Sequence, residues 1–470
     1  DTVSALRENP VFNQPVNSRE DIYNQDRGDA LASDAENPFA TGNNRVYYID
    51  SLSGDNGNDG TMEAPLKDLE GLNAVALLPG DEVLFRRDTV YRGQLIPKSG
   101  SIDHEIYYGA YGVSDSAGDT AEDGRDPIIA PAFNAYNQEL WLTSANNILE
   151  YATAIPYDVG NIIFNSGDNF TITNQTDFGI KKWSLDDLSQ DGDYYYDSDN
   201  KKLYMYASKS LSNLYTNIEC CVNLHAIDET NVSYVTYEDL HLTFGSGHGI
   251  GGGNTSHITV RHVEVSYMGG SYLHDTNGVP TRYGNGIEFW GNATDIEVES
   301  CTIYEIFDSG LTNQNNTTSA IQERITYQGN DIYNCGMASF EIGNKPSGGN
   351  LKDIYFYNNT CSDVGVGWHT TQSRYTDSSA NLSLSHHVTI FYMETPVDHL
   401  IIEGNVFDGY THPDNKGSFY LMMNITDTSL PGIIIRNNTY VNGTHTFSYF
   451  YDDSTLSNMD QSTFDEMFNH

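Results

Sequence analysis

The chain has 470 residues, of which 65 are acidic and 23 are basic, giving a formal net charge of −42. A surface this negative disfavours nucleic acid and anionic membranes as partners. No run of 18 apolar residues occurs, which excludes a membrane-spanning helix. The five cysteines show no metal-ligand spacing, so we expect buried free thiols and no metal centre built on them.

Residues 1–40 are polar and rich in turn formers, and we expect an N-terminal extension lying along the domain that follows. Because the chain begins at Asp1 rather than Met, we also expect a processed protein, secreted or periplasmic. The loop DSLSGDNGNDGT at 50–61 offers Asp55, Asn56 and Asp59 as oxygen ligands. A structural calcium ion is one interpretation of this loop, and a plain Gly/Asp turn is the other. We expect no required cofactor.

The next two segments have different characters. Residues 46–112 combine the strand VYYID, a Gly/Asp loop, a short helix within APLKDLEGLNAV, the turn PGD and a strand leading to SG. Residues 135–216 contain runs such as DVGNIIFN and KKLYMYAS and break the rhythm of the surrounding chain. We interpret this second segment as a small β-rich insertion.

From residue 231 onward, short β-rich runs recur, separated by loops of varying length. With an offset of 29 residues, 295–315 aligns with 323–344, pairing Ile296 with Ile325, Ile303 with Ile332, and Leu311 with Phe340. An irregular period of about 24 to 45 residues with three short strands per repeat is typical of a solenoid.

One column of these repeats carries asparagine between the second and third strands: Asn330, Asn359, Asn405 and Asn438. Stacked side-chain amides at the spacing of about 4.8 Å between strands can bond along the solenoid axis, which predicts an internal asparagine ladder. With these features the chain resembles the right-handed parallel β-helix of the pectate-lyase-like superfamily. The segment 46–112 looks like the opening of many carbohydrate-active members, closest to β-helix glycoside hydrolases.

The resemblance covers roughly 46–134 and 217–450. It implies an all-β, right-handed parallel β-helix domain over 41–470, with 135–216 inserted and 1–40 as an extension. It also implies a polysaccharide substrate bound in a groove on the sheet that follows the short strand after the asparagine column. The longest loops, at 268–284, 315–322, 345–350 and 365–387, flank this sheet and would form the walls of the groove.

Strand alternation predicts which side chains face that groove. Ile287, Leu311 and Phe340 point inward, so Glu288 and Glu341 point outward. Upstream, the glycines of IGGG at 250–253 leave room for a ligand. Glycoside hydrolysis needs a proton donor and a second carboxylate as base or nucleophile. The candidates are Glu341 and Asp308 on adjacent coils, with a separation that suits a retaining pair, followed by Glu288 two coils from Glu341, near the upper limit of an inverting pair.

Further residues on this face or in its loops could bind hydroxyl groups or stack on a sugar ring. They are Trp290, Gln314, His369, Gln372, Arg374, His248 and Tyr420.

The sequence thus predicts a secreted, monomeric glycoside hydrolase that cleaves a polysaccharide. The acidic, lysine-poor composition points to a marine habitat and an algal substrate, such as a sulfated fucan or galactan with Arg282, Arg324 or Arg374 pairing with sulfate. A neutral plant glycan is equally compatible.

Two alternatives stay open. A polysaccharide lyase would cleave a uronic-acid-containing glycan by β-elimination, with His369, Arg374, Arg282, Tyr392 or His248 supplying the base or the cation. A non-catalytic glycan-binding β-helix would have an aromatic-lined groove without paired carboxylates.

Overall fold

The computed structural model describes residues 44–112, 125–167, 170–172, 174, 177–276, 279–315, 319–344, 349–372, 385–391, 393, 397–409, 419–422, 430–443, 445–451 and 455–469. The predicted extension 1–40, Arg374 and Tyr392 lie outside these residues. No helix among the described residues is long and apolar enough to span a membrane.

The described strands wind into a parallel β-helix, which confirms the predicted fold class. One face, called the groove sheet below, carries both glutamates of the sequence prediction. Its strands are Ile227–Asp228, the first parts of Ile250–Arg261 and Ile287–Glu299, then Ser309–Asn315, Ala338–Asn344, His386–Phe391, Phe419–Met422 and Phe447–Tyr451.

A second face, the long sheet, continues from the groove sheet around a corner. Its strands are Val46–Ile49, Glu82–Arg86, Ile106–Tyr111, Ser233–Glu238, the ends of Ile250–Arg261 and Ile287–Glu299, Ile321–Gln328, Asn350–Tyr357, Val397–Glu403 and Ile433–Arg436. The third face has short strands: Val90–Arg92, Ile128–Ala130, His241–Gly245, Glu264–Met268, Thr302–Tyr304, Asp331–Tyr333, Thr360–Ser362, Val406–Asp408 and Thr439–Val441.

The predicted offset of 29 residues is the true register. Ile296 pairs with Ile325, Ile303 with Ile332, and Leu311 with Phe340. All six side chains are buried, because an apolar residue at one point of a coil must stack on apolar residues of the coils above and below.

The asparagine ladder is also confirmed. Nδ2 of Asn330 donates to Oδ1 of Asn359 at 2.9 Å, Asn359 to Asn405 at 3.1 Å, and Asn405 to Asn438 at 2.9 Å. Each amide also bonds the backbone, so the corner between the long and short sheets is buried without leaving polar groups unpaired. All five cysteines are buried free thiols.

Residues outside the coils form separate strands. The segment between the early coils contains two sheets. The larger is a mixed sheet of Trp141–Ala145, Ile148–Tyr151, Ile180–Lys182, Asp193–Asp197 and Lys202–Tyr206. The smaller consists of Ala132–Asn134, Val159–Phe164 and Ile218–Val222. A hairpin of Ser271–Thr276 and Val279–Tyr283 rises beside the groove sheet. Thr455–Met459 pairs antiparallel with Phe447–Tyr451.

Short helices close the ends of the solenoid. Leu69–Asn73 begins after Asp68, whose side chain accepts from Gly71 N, and packs Leu69 and Leu72 into the first coil. Gln461–Phe468 buries Phe464 and Phe468 against the last coils. The other helical turns are Leu211–Leu214, Gln138–Leu140, Leu185–Asp187, Trp368–Thr371 and Leu430–Gly432.

Candidate functional site

One row of residues crosses the groove sheet at right angles to its strands, and we call it the carboxylate row. Parallel pairing joins, in order along the solenoid, Asp228, Gly251, Glu288, Thr312, Glu341 and Thr389. Carboxylates thus stand on alternate strands at three positions, and the Glu288 and Glu341 backbones lie two strands or about 9.6 Å apart. Sequence reasoning missed Asp228, because its strand is only two residues long.

The row is outward-facing yet enclosed. Ile287, Phe340 and Ile342 are fully buried in the solenoid, which confirms the predicted alternation, so the glutamates between them face the other way. Glu288 is nevertheless only 4% exposed and Glu341 only 8% exposed. Water is therefore largely excluded from both carboxyl groups, and neighbouring dipoles act on them more strongly than they would at an open surface.

A second row, the corner row, lies three residues before the carboxylate row and consists of His225, His248, Asn285 and Ser309. The chain turns onto the groove sheet between the two rows, at Gly249, Gly286 and Gly310. A Cβ on Gly286 would lie 2.4 Å from the carbonyl oxygen of Gly310, so only glycine permits this close approach of successive coils.

Sequence reasoning missed His225, Asn285 and Ser309, although a signal was present for Asn285 and Ser309. HGIG (248–251), NGIE (285–288) and SGLT (309–312) share a polar residue or histidine, a glycine, an aliphatic residue and a groove-facing position. Aligning these tetrapeptides would have placed the first residue of each in one column.

Hydrogen bonds through the corner row connect the two glutamates. Ser309 Oγ donates to Glu341 Oε2 at 2.7 Å, and the backbone N–H of Ser309 donates to Asn285 Oδ1 at 2.8 Å. Asn285 Nδ2 in turn donates to Glu288 Oε2 at 2.6 Å. The amide orientation of Asn285 is fixed by its backbone donor, so its NH₂ group must face Glu288. Gln314 Nε2 completes the cluster, lying 3.2 Å from Glu341 Oε1 as a donor.

The two histidines of the corner row carry their protons on Nε2. His248 Nδ1 accepts from the backbone N–H of Asn285 at 2.9 Å, and His225 Nδ1 accepts from that of His248 at 3.0 Å. His248 Nε2 lies 3.1 Å from Glu288 Oε2, at an angle too bent for a good hydrogen bond. Its N–H still faces the carboxylate. Glu288 thus has a fixed amide donor and an imidazole N–H beside the same oxygen.

Burial keeps the imidazoles near the row neutral. It lowers the pKa of His248 well below its ordinary value, helped by neighbouring His225. It likewise lowers the pKa of His225, against the opposing charge of Asp228, and lowers that of His369 to about 4. At neutral pH these histidines therefore act as hydrogen-bonding groups without positive charge.

The glycines of residues 250–253 do not leave room for a ligand, and that prediction is wrong. A Cβ on Gly253 would lie 2.5 Å from Trp290 Cδ1, and one on Gly251 would lie 2.9 Å from His248 Cδ2. The space is filled by the protein's own rings. Trp290 packs 6.0 Å from His248 and 5.9 Å from His225, measured between ring centroids, and is half-buried.

Several predicted binding residues have protein partners in the structure. Gln372 is buried, accepts from Arg282 Nη1 at 3.0 Å and donates to Gly179 O at 2.6 Å, so it ties the loop 365–372 to the inserted segment. Arg282 is buried and also donates to the carbonyls of Gly160 and Gly270. The prediction of Arg282 as a sulfate partner is therefore wrong, because its guanidinium group is committed inside the protein.

The other predicted residues lie as follows. His369 is buried, and a Cβ on Gly336 would contact its ring, so it packs beneath the strand of Glu341. Asp308 is buried directly before Ser309, its backbone bonded to Gly284 and Met337. Tyr420 lies on a groove-sheet strand beside Thr389, and only its backbone is described.

The calcium interpretation of the loop 50–61 stays a prediction. Asn56 Oδ1 accepts from the backbone N–H of Lys67 at 3.0 Å and its Nδ2 donates to Asp68 at 2.7 Å, while Asp55 accepts from Gly57 N at 2.8 Å. These bonds shape the loop as an Asx turn that docks on the first helix.

If Glu288 acts as a base in the hydrolysis that the sequence predicts, its hydrogen bond from Asn285 can be tested through the pH dependence of that activity. Asn285→Asp replaces a donor beside Glu288 with a second carboxylate, which disfavours negative charge on Glu288. We expect the acidic limb of the pH–rate profile to move to higher pH and the basic limb to stay in place. A uniform loss of activity at all pH values would contradict this role and indicate a purely structural one.

The sequence matches no protein-family model and no curated protein. Several solved structures are similar to it over most of the chain, with TM-scores below 0.5. A glycoside hydrolase is 10% identical, and the match covers 85% of this chain and 95% of the hydrolase with a TM-score of 0.48. XylC in complex with xylose is 13% identical, and the match covers 86% of this chain and 71% of XylC with a TM-score of 0.45. Pectate lyase Pel9A is 14% identical, with 80% and 77% covered and a TM-score of 0.36. At these identities the similarity concerns the fold alone.

Proposed function

We propose that the protein is a glycoside hydrolase that cleaves a polysaccharide with Glu341 as general acid and Glu288 as general base. In this reaction Glu341 gives its proton to the leaving glycosidic oxygen. A water molecule attacks the anomeric carbon from the opposite side and loses a proton to Glu288.

The observation that carries this assignment is the chemical difference between the partners of the two glutamates. Glu288 faces an Asn285 amide fixed as a donor and the Nε2–H of His248, and both favour its ionised form. Glu341 is bonded to Ser309 Oγ and, at 3.2 Å, to Gln314 Nε2. A hydroxyl can donate to a carboxylate or accept from a carboxylic acid, and a glutamine amide can present its oxygen to a carboxylic acid by turning over. Glu341 can therefore carry a proton and release it without breaking up its surroundings.

The separation of the two glutamates supports inversion of configuration. Two strands of a parallel sheet place their backbones about 9.6 Å apart, close to the range of about 6.5–9.5 Å between carboxyl groups that leaves space for a water molecule. NMR of the first product will show inversion under this proposal. Retention would instead favour the sequence-predicted pair of Asp308 and Glu341 on adjacent coils.

The first experiment is a digest of algal and plant polysaccharides with two readings. We expect new reducing ends without ultraviolet absorbance from an unsaturated uronide. Reducing ends with that absorbance would establish a lyase and would contradict the proposal. If neither reducing ends nor absorbance increase with fucans, galactans, xylans and pectins, the result would favour a glycan-binding β-helix. The marine algal substrate stays a prediction that the same panel tests.

A further inference from the structure

A cavity of about 480 Å³ lies between the inserted strands and the start of the groove sheet. Trp183 and Tyr195 line it from the inserted segment, Tyr272 from the hairpin, and His225 and Asp228 from the groove sheet. Its volume falls within the range of about 300–1,000 Å³ that is typical of small-molecule sites.

His225 and Asp228 form the floor of the cavity. His225 is 6% exposed and its Nε2 has no hydrogen-bond partner among the described residues. Because its Nδ1 accepts from the backbone of His248, Nε2 carries the proton. Three residues on, the half-buried carboxylate of Asp228 lines the same cavity. A carboxylate that lines a concave site can accept hydrogen bonds from the hydroxyl groups of a sugar.

The walls add an aromatic surface. Trp183 is half-buried and meets Tyr272 edge-on, with ring centroids 6.3 Å apart and planes at 67°. Lys181 Nζ lies over one face of the Trp183 ring, 5.9 Å from its centroid, so the opposite face is the one that could stack on the apolar face of a pyranose ring. A polar floor and an aromatic wall together fit a carbohydrate better than a purely apolar ligand.

The lysines at the cavity are paired with carboxylates. Lys181 Nζ lies 2.5 Å from Asp158 Oδ1 and donates to Val159 O, and it is almost fully buried. Lys182 Nζ lies 3.4 Å from Asp193 Oδ1. Burial also lowers the pKa of His225, which keeps its ring neutral. With these cations neutralised and Asp228 present, a sulfate or uronate group would meet net repulsion in the cavity.

The cavity borders the first position of the carboxylate row, at Asp228. The ring of His225 stacks on that of His248 at 4.7 Å between centroids, and His248 Nε2 lies 3.1 Å from Glu288. Asp228 lies two strands from Glu288 in the same row. A sugar in the cavity would therefore lie about two strands, or roughly 9.6 Å, along the row from Glu288, and the His248 ring packs between His225 and Glu288.

We infer that this cavity is a subsite for a neutral, hydroxyl-rich sugar unit at the start of the carboxylate row, two strands from Glu288, held by Trp183 and Asp228. As a subsite of a cleavage reaction it rests on the proposed function, but the binding of a sugar there can be measured without catalysis.

The test is saturation-transfer NMR of monosaccharides with the Glu341→Gln protein. The neutral probes are xylose, galactose, glucose and fucose, and the charged probes are galacturonic acid and galactose 6-sulfate. We expect at least one neutral sugar to bind, and the charged sugars to bind more weakly. Trp183→Ala should weaken that binding about tenfold, and Trp183→Phe should restore part of it. Tyr355→Ala removes a half-buried tyrosine stacked on Tyr357 in the long sheet and should leave binding unchanged.

Each outcome has a clear meaning. No binding of any neutral sugar, equal binding by Trp183→Ala, or tighter binding of the charged sugars would overturn the inference. Monosaccharide binding lost in Trp183→Ala, without cleavage of any polysaccharide by the native protein, would support the sugar site and refute the hydrolase. Cleavage that Trp183→Ala leaves unchanged would support the hydrolase and refute the subsite.

Discussion

Glu341→Gln is expected to lower kcat on the polysaccharide by about 10³-fold, because it removes the proton needed by the leaving oxygen while keeping the shape of the side chain. Ser309 Oγ can accept from the new amide, so the fold should be unaffected. On an aryl glycoside with a good leaving group, which needs little protonation, the loss should shrink to about tenfold. That contrast between substrates identifies Glu341 as the acid.

Glu288→Gln is expected to lower kcat by a similar factor on both kinds of substrate, since the attacking water loses its base in each case. Azide should partly restore the rate of this variant on the aryl glycoside by replacing the water. The control is Glu297→Gln, which makes the same change on the same strand, where Glu297 accepts from Gln328 on the long sheet. Loss of activity in the control, or rescue of Glu341→Gln by azide instead, would contradict the assignment.

Asn359→Ala should have the largest effect on stability, lowering the free energy of unfolding by at least about 3 kcal/mol. Asn359 lies in the middle of the ladder, where it accepts from the backbone and side chain of Asn330 and donates to Tyr327 O and Asn405. Alanine would leave these buried groups without partners, and no water can reach them easily.

Urea denaturation followed by circular dichroism will measure this loss. Asn350→Ala is the matched control. Asn350 begins the long-sheet strand that leads to Asn359, and its side chain is exposed. It should change the free energy of unfolding by about 0.5 kcal/mol or less. Equal effects of the two substitutions would mean that the ladder follows from the fold without stabilising it.

The coils of the fold could be predicted from the sequence because one physical constraint repeats in them. Each coil must bury an aliphatic or aromatic side chain over the previous one, so Ile296, Ile325 and their counterparts recur with a readable period. The asparagine column is equally visible in the sequence. Each side-chain amide bonds to the equivalent asparagine of the next coil, so the asparagines must occupy the same position in successive coils.

The site was only partly predictable. Glu288 and Glu341 stand out because a charged residue interrupts an apolar strand. Their partners His248, Asn285 and Ser309 become visible only when the tetrapeptides HGIG, NGIE and SGLT are aligned, and that alignment does not show which atoms meet. His225 and Asn285 are far apart in sequence, and their proximity depends on how many residues each loop inserts between coils. The error at residues 250–253 has the same origin, since the rings that fill the space come from neighbouring coils.

The cavity depends on a still less visible relationship. Trp183 and Asp228 meet only because the segment inserted between early coils folds back over the start of the groove sheet. Nothing in the repeat predicts the direction in which an insertion packs. Its lining residues also look ordinary in sequence, because tyrosine and tryptophan are common in β-strands.

Asp228, Glu288 and Glu341 occupy alternate strands of a parallel sheet, so the spacing of their backbones is a multiple of the distance between neighbouring coils. The distance between two carboxylates can change only in steps of about 4.8 Å, so a protein of this architecture cannot drift gradually between reaction geometries. Moving a carboxylate from Glu341 to the position of Thr312 takes two substitutions and would halve the backbone distance to Glu288. The stereochemical outcome of such an enzyme is therefore set by a whole number, the count of coils between its two acids.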